Sequence, residues 1–171
     1  MTSIEFRAPW SASLRATTVS SVVVIALATA ALIFASLHLS QPGLMVMIAL
    51  PLLLLAVAFA FRVRGYTLTE DAILVHRPIG TFRLPLAGLR SVTGDVDAMR
   101  GSTRVMGNWG LFSFTGRYWN RKLGSYRAFA TDPSRAVVLR YSNETVVITP
   151  HDPQHFIMRA RTLLKVAEFP R

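Results

Sequence analysis

From Ala16 to Phe61 the chain carries no Lys, Arg, Asp or Glu. An apolar run of this length reads as membrane-crossing helix rather than as the amphipathic face of a soluble element. It is interrupted at His38-Leu39-Ser40-Gln41-Pro42-Gly43, where the Pro-Gly pair breaks helix continuity and a short loop can reverse the chain. The pattern therefore predicts two spans, Val19 to Leu37 and Gly43 to Phe61, each about 28 Å of helix against a hydrocarbon core of ~30 Å. Pro51 falls inside the second span, where a bilayer helix accommodates it with a local bend. Alanines four apart (Ala26 and Ala30, Ala31 and Ala35, Ala56 and Ala60) would let the helices approach closely.

After Arg64 the pattern changes to short segments rich in β-branched and aromatic residues, separated by turn formers. Strands are predicted at Gly65–Thr69, Ala72–Arg77, Thr81–Pro85, Leu89–Thr93, Gly101–Val105, Tyr126–Thr131, Ala136–Tyr141 and Thr145–Thr149. Val137, Leu139 and Tyr141 alternate with Val138 and Arg140, and Ser142-Asn143-Glu144 turns the chain into Thr145-Val146-Val147-Ile148, which predicts a hairpin with one buried face. Thr149-Pro150-His151-Asp152-Pro153 carries helix-start chemistry, with Thr149 or Asp152 as cap and a proline after it. Phe156, Ala160, Leu163, Leu164 and Ala167 then share one helical face, with Arg159, Arg161 and Lys165 on the remainder. The expected class is α+β: a leading segment 1–18, a two-helix transmembrane hairpin over 19–61, and over 62–171 an antiparallel sheet, bent or forming an open barrel and capped by the amphipathic helix.

Charge sharpens the division. The stretch from Arg62 to Arg171 holds 17 of the 19 basic and 8 of the 9 acidic residues, and the chain's net charge is +10. Arg7 and Arg15 precede the first span, Arg62 and Arg64 follow the second, and the connecting loop has no Lys or Arg, so both termini are expected on the cytoplasmic side of a bacterial inner membrane. A cleaved secretory signal is the competing reading, because Ala28-Thr29-Ala30 mimics a cleavage site, although the apolar run continues through Phe34. With no cysteine, disulfides, thiolate nucleophiles and sulfur-ligated metal sites are excluded.

Three stretches carry a family resemblance: Gly65-Tyr66-Thr67-Leu68-Thr69-Glu70-Asp71-Ala72-Ile73, the run from Gly107-Asn108-Trp109-Gly110-Leu111-Phe112 to Gly124-Ser125-Tyr126-Arg127-Ala128-Phe129-Ala130-Thr131-Asp132, and Ile148-Thr149-Pro150-His151-Asp152-Pro153-Gln154-His155-Phe156. With them, Arg64 to Leu164 resembles the bacterial pleckstrin-homology-like (PH-like) domain family, in particular members attached to two N-terminal transmembrane helices. Ser113 and Thr115 depart from the Gly-Tyr-Phe-Gly units frequent in that family. The resemblance implies a PH-like β-barrel or sandwich with a C-terminal helix, and a role in recognition or scaffolding without a specified ligand.

The candidate chemistry lies between Arg100 and Arg127. Arg100, Arg104, Arg117, Arg121, Lys122 and Arg127 are interleaved there with Trp109, Phe112, Phe114, Tyr118, Trp119 and Tyr126, and no acid occurs between Asp97 and Asp132. Cationic heads beside amphipathic rings suit an anionic membrane surface, each basic residue contributing about 1 kcal/mol near the leaflet. The candidate lipid- or partner-binding residues are Arg100, Arg104, Trp109, Arg117, Tyr118, Trp119, Arg121, Lys122 and Arg127; the alternative is that the rings fill a small core and the arginines form a solvated face. Gly107, Gly110, Gly116 and Gly124 are expected to permit turns and close packing in a long loop.

Other chemistries find little support. His151 and His155 have metal-ligand spacing but lack the zinc-protease glutamate, so no metal site is expected. There is no Gly-x-Ser-x-Gly elbow and no glycine-rich phosphate loop, and no cofactor is implied. Glu70-Asp71 reads as a turn and Asp95 and Asp97 as loop residues. The expectation is a non-enzymatic, membrane-anchored binding or scaffold protein docking an anionic lipid surface or a protein partner. The alternatives are an accessory subunit of a membrane transport complex, disfavoured because neither span holds an ionisable residue, and nucleic-acid binding, which the membrane tether makes the poorer use of the charge.

Overall fold

The computed structural model describes residues 3–39 and 44–168, without the side chains of 39, 44–46, 109 and 165–168. It begins with a strand that the hydropathy pattern did not predict. β1 (Ile4–Arg7) leads into α1 (Ala12–Leu39), then α2 (Leu44–Ala60), then β2 (Gly65–Leu68). β1 and β2 are antiparallel neighbours, with Phe6 opposite Tyr66 and Arg7 opposite Gly65. The two helices are thus the connection between one pair of strands, and the leading segment belongs in part to the sheet. The Gln41-Pro42-Gly43 reversal lies outside the described residues.

α1 is capped by Ser11, whose Oγ accepts from the Leu14 amide at 3.1 Å. Leu14 and Thr18 are buried, whereas Val19, Val23, Leu27, Phe34 and Leu37 farther along are exposed. Among the described residues α1 alone is long and apolar enough to cross a membrane. α2 runs through Pro51 but has 17 residues, about 25 Å of helix, so its length falls short of the second full span expected from the sequence. Its limit has a physical cause: Val63, three residues past its end, is buried in the core, so the chain must leave the helix to enter the sheet.

β3 (Ala72–His76) and β4 (Thr81–Pro85) complete a four-stranded antiparallel sheet in the order β1-β2-β3-β4. A second sheet holds β5 (Leu89–Gly94), β6 (Thr103–Leu111), β7 (Ser113–Asn120), β8 (Gly124–Ala130), β9 (Val137–Tyr141) and β10 (Thr145–Ile148), ordered β5-β9-β10-β8-β7-β6. The expected barrel is not closed, since the strands form two separate sheets, and the sheet is not purely antiparallel, since β10 pairs β8 in parallel. The largest departure from the sequence reading is the expected long loop after Val105, which is the β6–β7 hairpin.

The main core lies between the sheets, with Phe6, Tyr66, Ile73 and Leu84 from the first and Val92, Phe129, Leu139 and Ile148 from the second. α3 (Pro153–Glu168) adds Phe156, Ile157 and Ala160 to it. Arg161 is not merely solvated: its guanidinium donates to Val92 O at 3.0 and 2.8 Å, tying α3 to β5. A second cluster, with Tyr118, Tyr126, Ala128, Val138 and Val147, covers the other face of the larger sheet, so the β9–β10 hairpin is buried on both faces rather than one. Asp152 caps α3 through His155 N at 3.0 Å, with Pro153 as the first helical residue.

Thr149, the other expected cap, serves the junction of the two sheets instead. Tyr66 Oη donates to Phe129 O at 2.6 Å and accepts from Thr149 N at 3.1 Å. Thr149 Oγ1 in turn accepts from the Thr131 amide at 2.8 Å. Burial pushes the Tyr66 phenol up to about 12, against hydrogen bonds from Thr149 that lower it. Burial raises Tyr118, Tyr126 and Tyr141 as well, which accounts for all 4 tyrosines of the chain.

Two outcomes follow from this core. Phe6→Ala should lower the unfolding free energy of the full chain by about 3–5 kcal/mol, the range for a buried phenylalanine, in denaturant titration; a change below about 1 kcal/mol would mean that β1 is not part of the fold. The raised phenols favour the fold fully below their ordinary value near 10, and the Tyr66 contribution is lost as pH rises towards about 12. Phenolate absorbance should therefore be delayed above pH 10 and appear together with loss of near-ultraviolet circular dichroism; normal titration of the tyrosines in folded protein would contradict the burial.

Candidate functional site: a cationic cleft beside the second helix

Strand alternation sorts the aromatic and basic residues of the Arg100–Arg127 stretch onto two faces. In the β7–β8 register Tyr118 lies opposite Tyr126, and one step away Arg117 lies opposite Arg127. Successive side chains point to opposite sides, so the two tyrosines enter the second core, stacked at 5.9 Å, and the two arginines face the other way. Tyr118 is 2% exposed and donates from its hydroxyl to Asn108 O, so it packs as core and does not present its ring to a partner.

The remaining candidates separate further. Arg100 pairs with Asp97 at 3.7 Å and Lys122 with Asp95 at 2.6 Å. Arg104 donates to Gly107 O at 3.0 Å. Trp119 and Arg121 are exposed near the β7–β8 turn, and Arg121 stands about 30 Å along an extended strand from the β6–β7 tip at Phe112. Trp109 sits in β6 opposite Phe114, but its side chain lies outside the described residues.

Arg117 and Arg127 instead join residues that the sequence pattern did not single out. They line a cleft of about 630 Å³ between α2, the β3–β4 turn and the β6–β8 strands, together with Arg77, Phe82, Leu54, Val57 and Phe61. The guanidinium carbons of Arg77 and Arg127 stand 5.5 and 5.2 Å from the Phe82 ring centroid. Arg77 Nε is buried without a hydrogen-bond partner, and desolvation followed by the charge of Arg127 lowers the Arg77 pKa. No acidic side chain is among the described residues that line the cleft. Directly opposed like charges destabilise a strand pair, so Arg117 and Arg127 form an arrangement that an anion would relieve.

The wall of this cleft depends on an unusually close hairpin. Gly107 and Gly116 face each other with φ of 118° and 129°, and a Cβ on Gly116 would lie 2.1 Å from Met106 O. The hairpin tip is clipped to the first helix. Thr18 Oγ1 donates to Gly110 O at 3.3 Å and accepts from Phe112 N at 3.0 Å. Phe112 adopts a left-handed φ of 64°, and its ring stands 6.3 Å from Trp10 and 5.5 Å from Phe59. It thereby wedges the tip between the start of α1 and the end of α2.

The family description "Bacterial PH domain" matches residues 64–164. The chain belongs to the bacterial PH domain family. No curated protein and no solved structure matches it. PH domains are generally non-catalytic binding modules, so membership supports a binding or scaffold role. The PH domain match leaves out β1 and both helices, and therefore one wall of the cleft, α2, lies outside it. Among the described residues no group of three or more His, Asp or Glu is placed to hold a metal ion; His155 lies against Phe6 at 5.5 Å.

Thr18→Val keeps the volume but leaves Gly110 O and Phe112 N without their partner, at a cost of about 1–3 kcal/mol. Amide exchange at Phe112 should accelerate while the β9–β10 amides stay protected; uniform exchange across the domain would show that the clip is not local.

Proposed function

We propose that the chain is a non-enzymatic, membrane-anchored binding module of the bacterial cytoplasmic membrane, whose PH domain engages the anionic surface of the inner leaflet. The observation that carries this reading is the β1–β2 pairing. With Arg7 opposite Gly65, the two ends of the apolar helix pair stand side by side, so a chain that enters the bilayer after β1 returns to the same side before β2. Arg7, Arg15, Arg62 and Arg64 at those ends favour the cytoplasm for that side. A short α2 is accommodated by local thinning of the bilayer and by arginine side chains that reach to the headgroups.

The same pairing weighs against a cleaved signal. Cleavage after Ala30 would strip Phe6 and Leu14 from buried positions and remove the Thr18 clip from the β6–β7 tip. The apolar side chains exposed along α1 and α2 require a partner as apolar as they are, and lipid is the simplest. Nucleic acid fits less well, because the Tyr118 and Tyr126 rings, which would stack on bases, stack on each other within the second core.

The test uses the whole chain, because excision of 64–171 would remove β1. Reconstituted into nanodiscs of phosphatidylcholine alone or mixed with phosphatidylglycerol, the protein should show slower amide exchange over β6 and β7 in the anionic discs. Salt should abolish the difference. Identical exchange in both lipids at low salt would remove the anionic surface as the partner and leave a protein partner in its place.

A further inference from the structure

We propose that the cleft beside α2 holds one anionic phospholipid of the inner leaflet, with its phosphate on Arg77, Arg117 and Arg127 and an acyl chain against Leu54, Val57 and Phe61. This site rests on the reading of the protein as membrane-anchored, but it differs from surface docking in being a discrete pocket with one occupant.

Charge argues for the phosphate end. Arg117 and Arg127 are directly opposed on neighbouring strands, and Arg77 shares the Phe82 ring with Arg127. None of the three has an ion-pair partner among the described residues, while Asp71, Asp95, Asp97 and Asp132 are each engaged by another basic residue. Arg77 Nε is a buried donor still lacking an acceptor. Guanidinium groups held against an aromatic face keep their planar forks free for the oxygens of a phosphate.

Shape and polarity argue for a lipid as the source of that phosphate. From Phe61 to Leu54 the helical wall rises about 10 Å without a polar side chain among Leu54, Val57, Ala58 and Phe61. A free phosphate would use the arginines and leave this wall bare. A phospholipid beside α2 places its headgroup and its chain along the same polarity gradient and is already present at the helix surface. The volume, about 630 Å³, falls within the range of a site for one small molecule.

Native mass spectrometry of the full chain released from mild detergent tests the site, with phosphatidylglycerol, phosphatidylcholine and inorganic phosphate as separate probes. One phosphatidylglycerol per chain should be retained. Retention should fall about tenfold or more in Arg77→Gln/Arg127→Gln, and also in Ala58→Trp, which fills the apolar end and leaves every charge in place. Arg121→Gln, at the β7–β8 turn and outside the residues that line the cleft, should retain lipid as the unaltered chain does. The lipid-free Arg77→Gln/Arg127→Gln variant should melt no lower than the unaltered chain, because it relieves an opposed pair and removes a buried donor without an acceptor; this separates lost binding from lost folding. Undiminished retention in the double variant, an equal loss in Arg121→Gln, or inorganic phosphate holding as well as phosphatidylglycerol would each overturn the proposal. The two readings fail separately. Because β6 and β7 line the cleft, Ala58→Trp tells them apart: loss of retained lipid with salt-sensitive protection of β6 and β7 still present in anionic discs leaves surface docking standing without the pocket, whereas one retained phosphatidylglycerol in the unaltered chain, with protection that disappears entirely in Ala58→Trp, leaves the pocket standing without surface docking.

Discussion

The antiparallel pairing of β1 with β2 is the constraint on which the rest of the arrangement depends. It places Arg7 beside Gly65 and so makes the entire apolar helix pair a long connection within a single sheet. The closeness is enforced locally: a Cβ on Gly65 would lie 2.9 Å from Phe6 O, and His151 N donates to Arg7 O at 2.8 Å, tying β1 to the approach to α3. A terminal segment tied to core residues in this way is a structural element rather than a tail. The helices consequently leave and re-enter the domain at one end of the first sheet, where Arg7, Gly65, His76 and Thr81 lie in register, and Arg77 and Phe82 near that end become neighbours of α2.

The β6–β7 hairpin closes this end of the sheet into a cleft. Its tip is held by Thr18 and by the Phe112 ring between Trp10 and Phe59. A bulky residue at φ of 64° persists only where its surroundings over-determine it, and here the first and second helices both contribute. With the tip fixed, the period of two along β7 and β8 sends Tyr118 and Tyr126 into one core and Arg117 and Arg127 towards α2. A single stretch of sequence thereby supplies both packing and charge, on opposite faces of the same strands.

Much of the fold is legible in the sequence where one local pattern dominates. Absence of charge marks α1 and α2, alternation marks β9 and β10, and Asp152-Pro153 marks the start of α3. β1 is hidden because Ile4-Glu5-Phe6-Arg7 is four residues long and its partner lies beyond two helices, so only tertiary pairing reveals it. β6 and β7 are hidden because Gly107, Gly110 and Gly116 read as loop residues, whereas Gly107 and Gly116 permit two backbones to approach within a strand pair. The charge-rich stretch was legible as unusual, but its division was not. Arg100 and Lys122 are engaged by Asp97 and Asp95, and Arg77 enters from a different sheet. A hydropathy pattern contains no signal for that last placement; the burial of a guanidinium nitrogen without a partner does.

Segregation along the chain and proximity in space are therefore complementary. Residues 16–61 carry no charge, yet Arg62 folds back over Phe59 at 4.1 Å, and Arg77 lies over Phe61 at 5.5 Å. Cations stacked on the last aromatic rings of an apolar helix suit the level where hydrocarbon gives way to headgroups, a depth at which long basic side chains are favoured. In water alone, opposed Arg117 and Arg127 and the buried Arg77 Nε, which has no acceptor among the described residues, would be a liability to the fold. Next to a negatively charged leaflet the same charges are stabilised by their surroundings. On the membrane-anchored reading the charge of the domain suits a place beside its own apolar helices, and the β1–β2 pairing links that place to that charge.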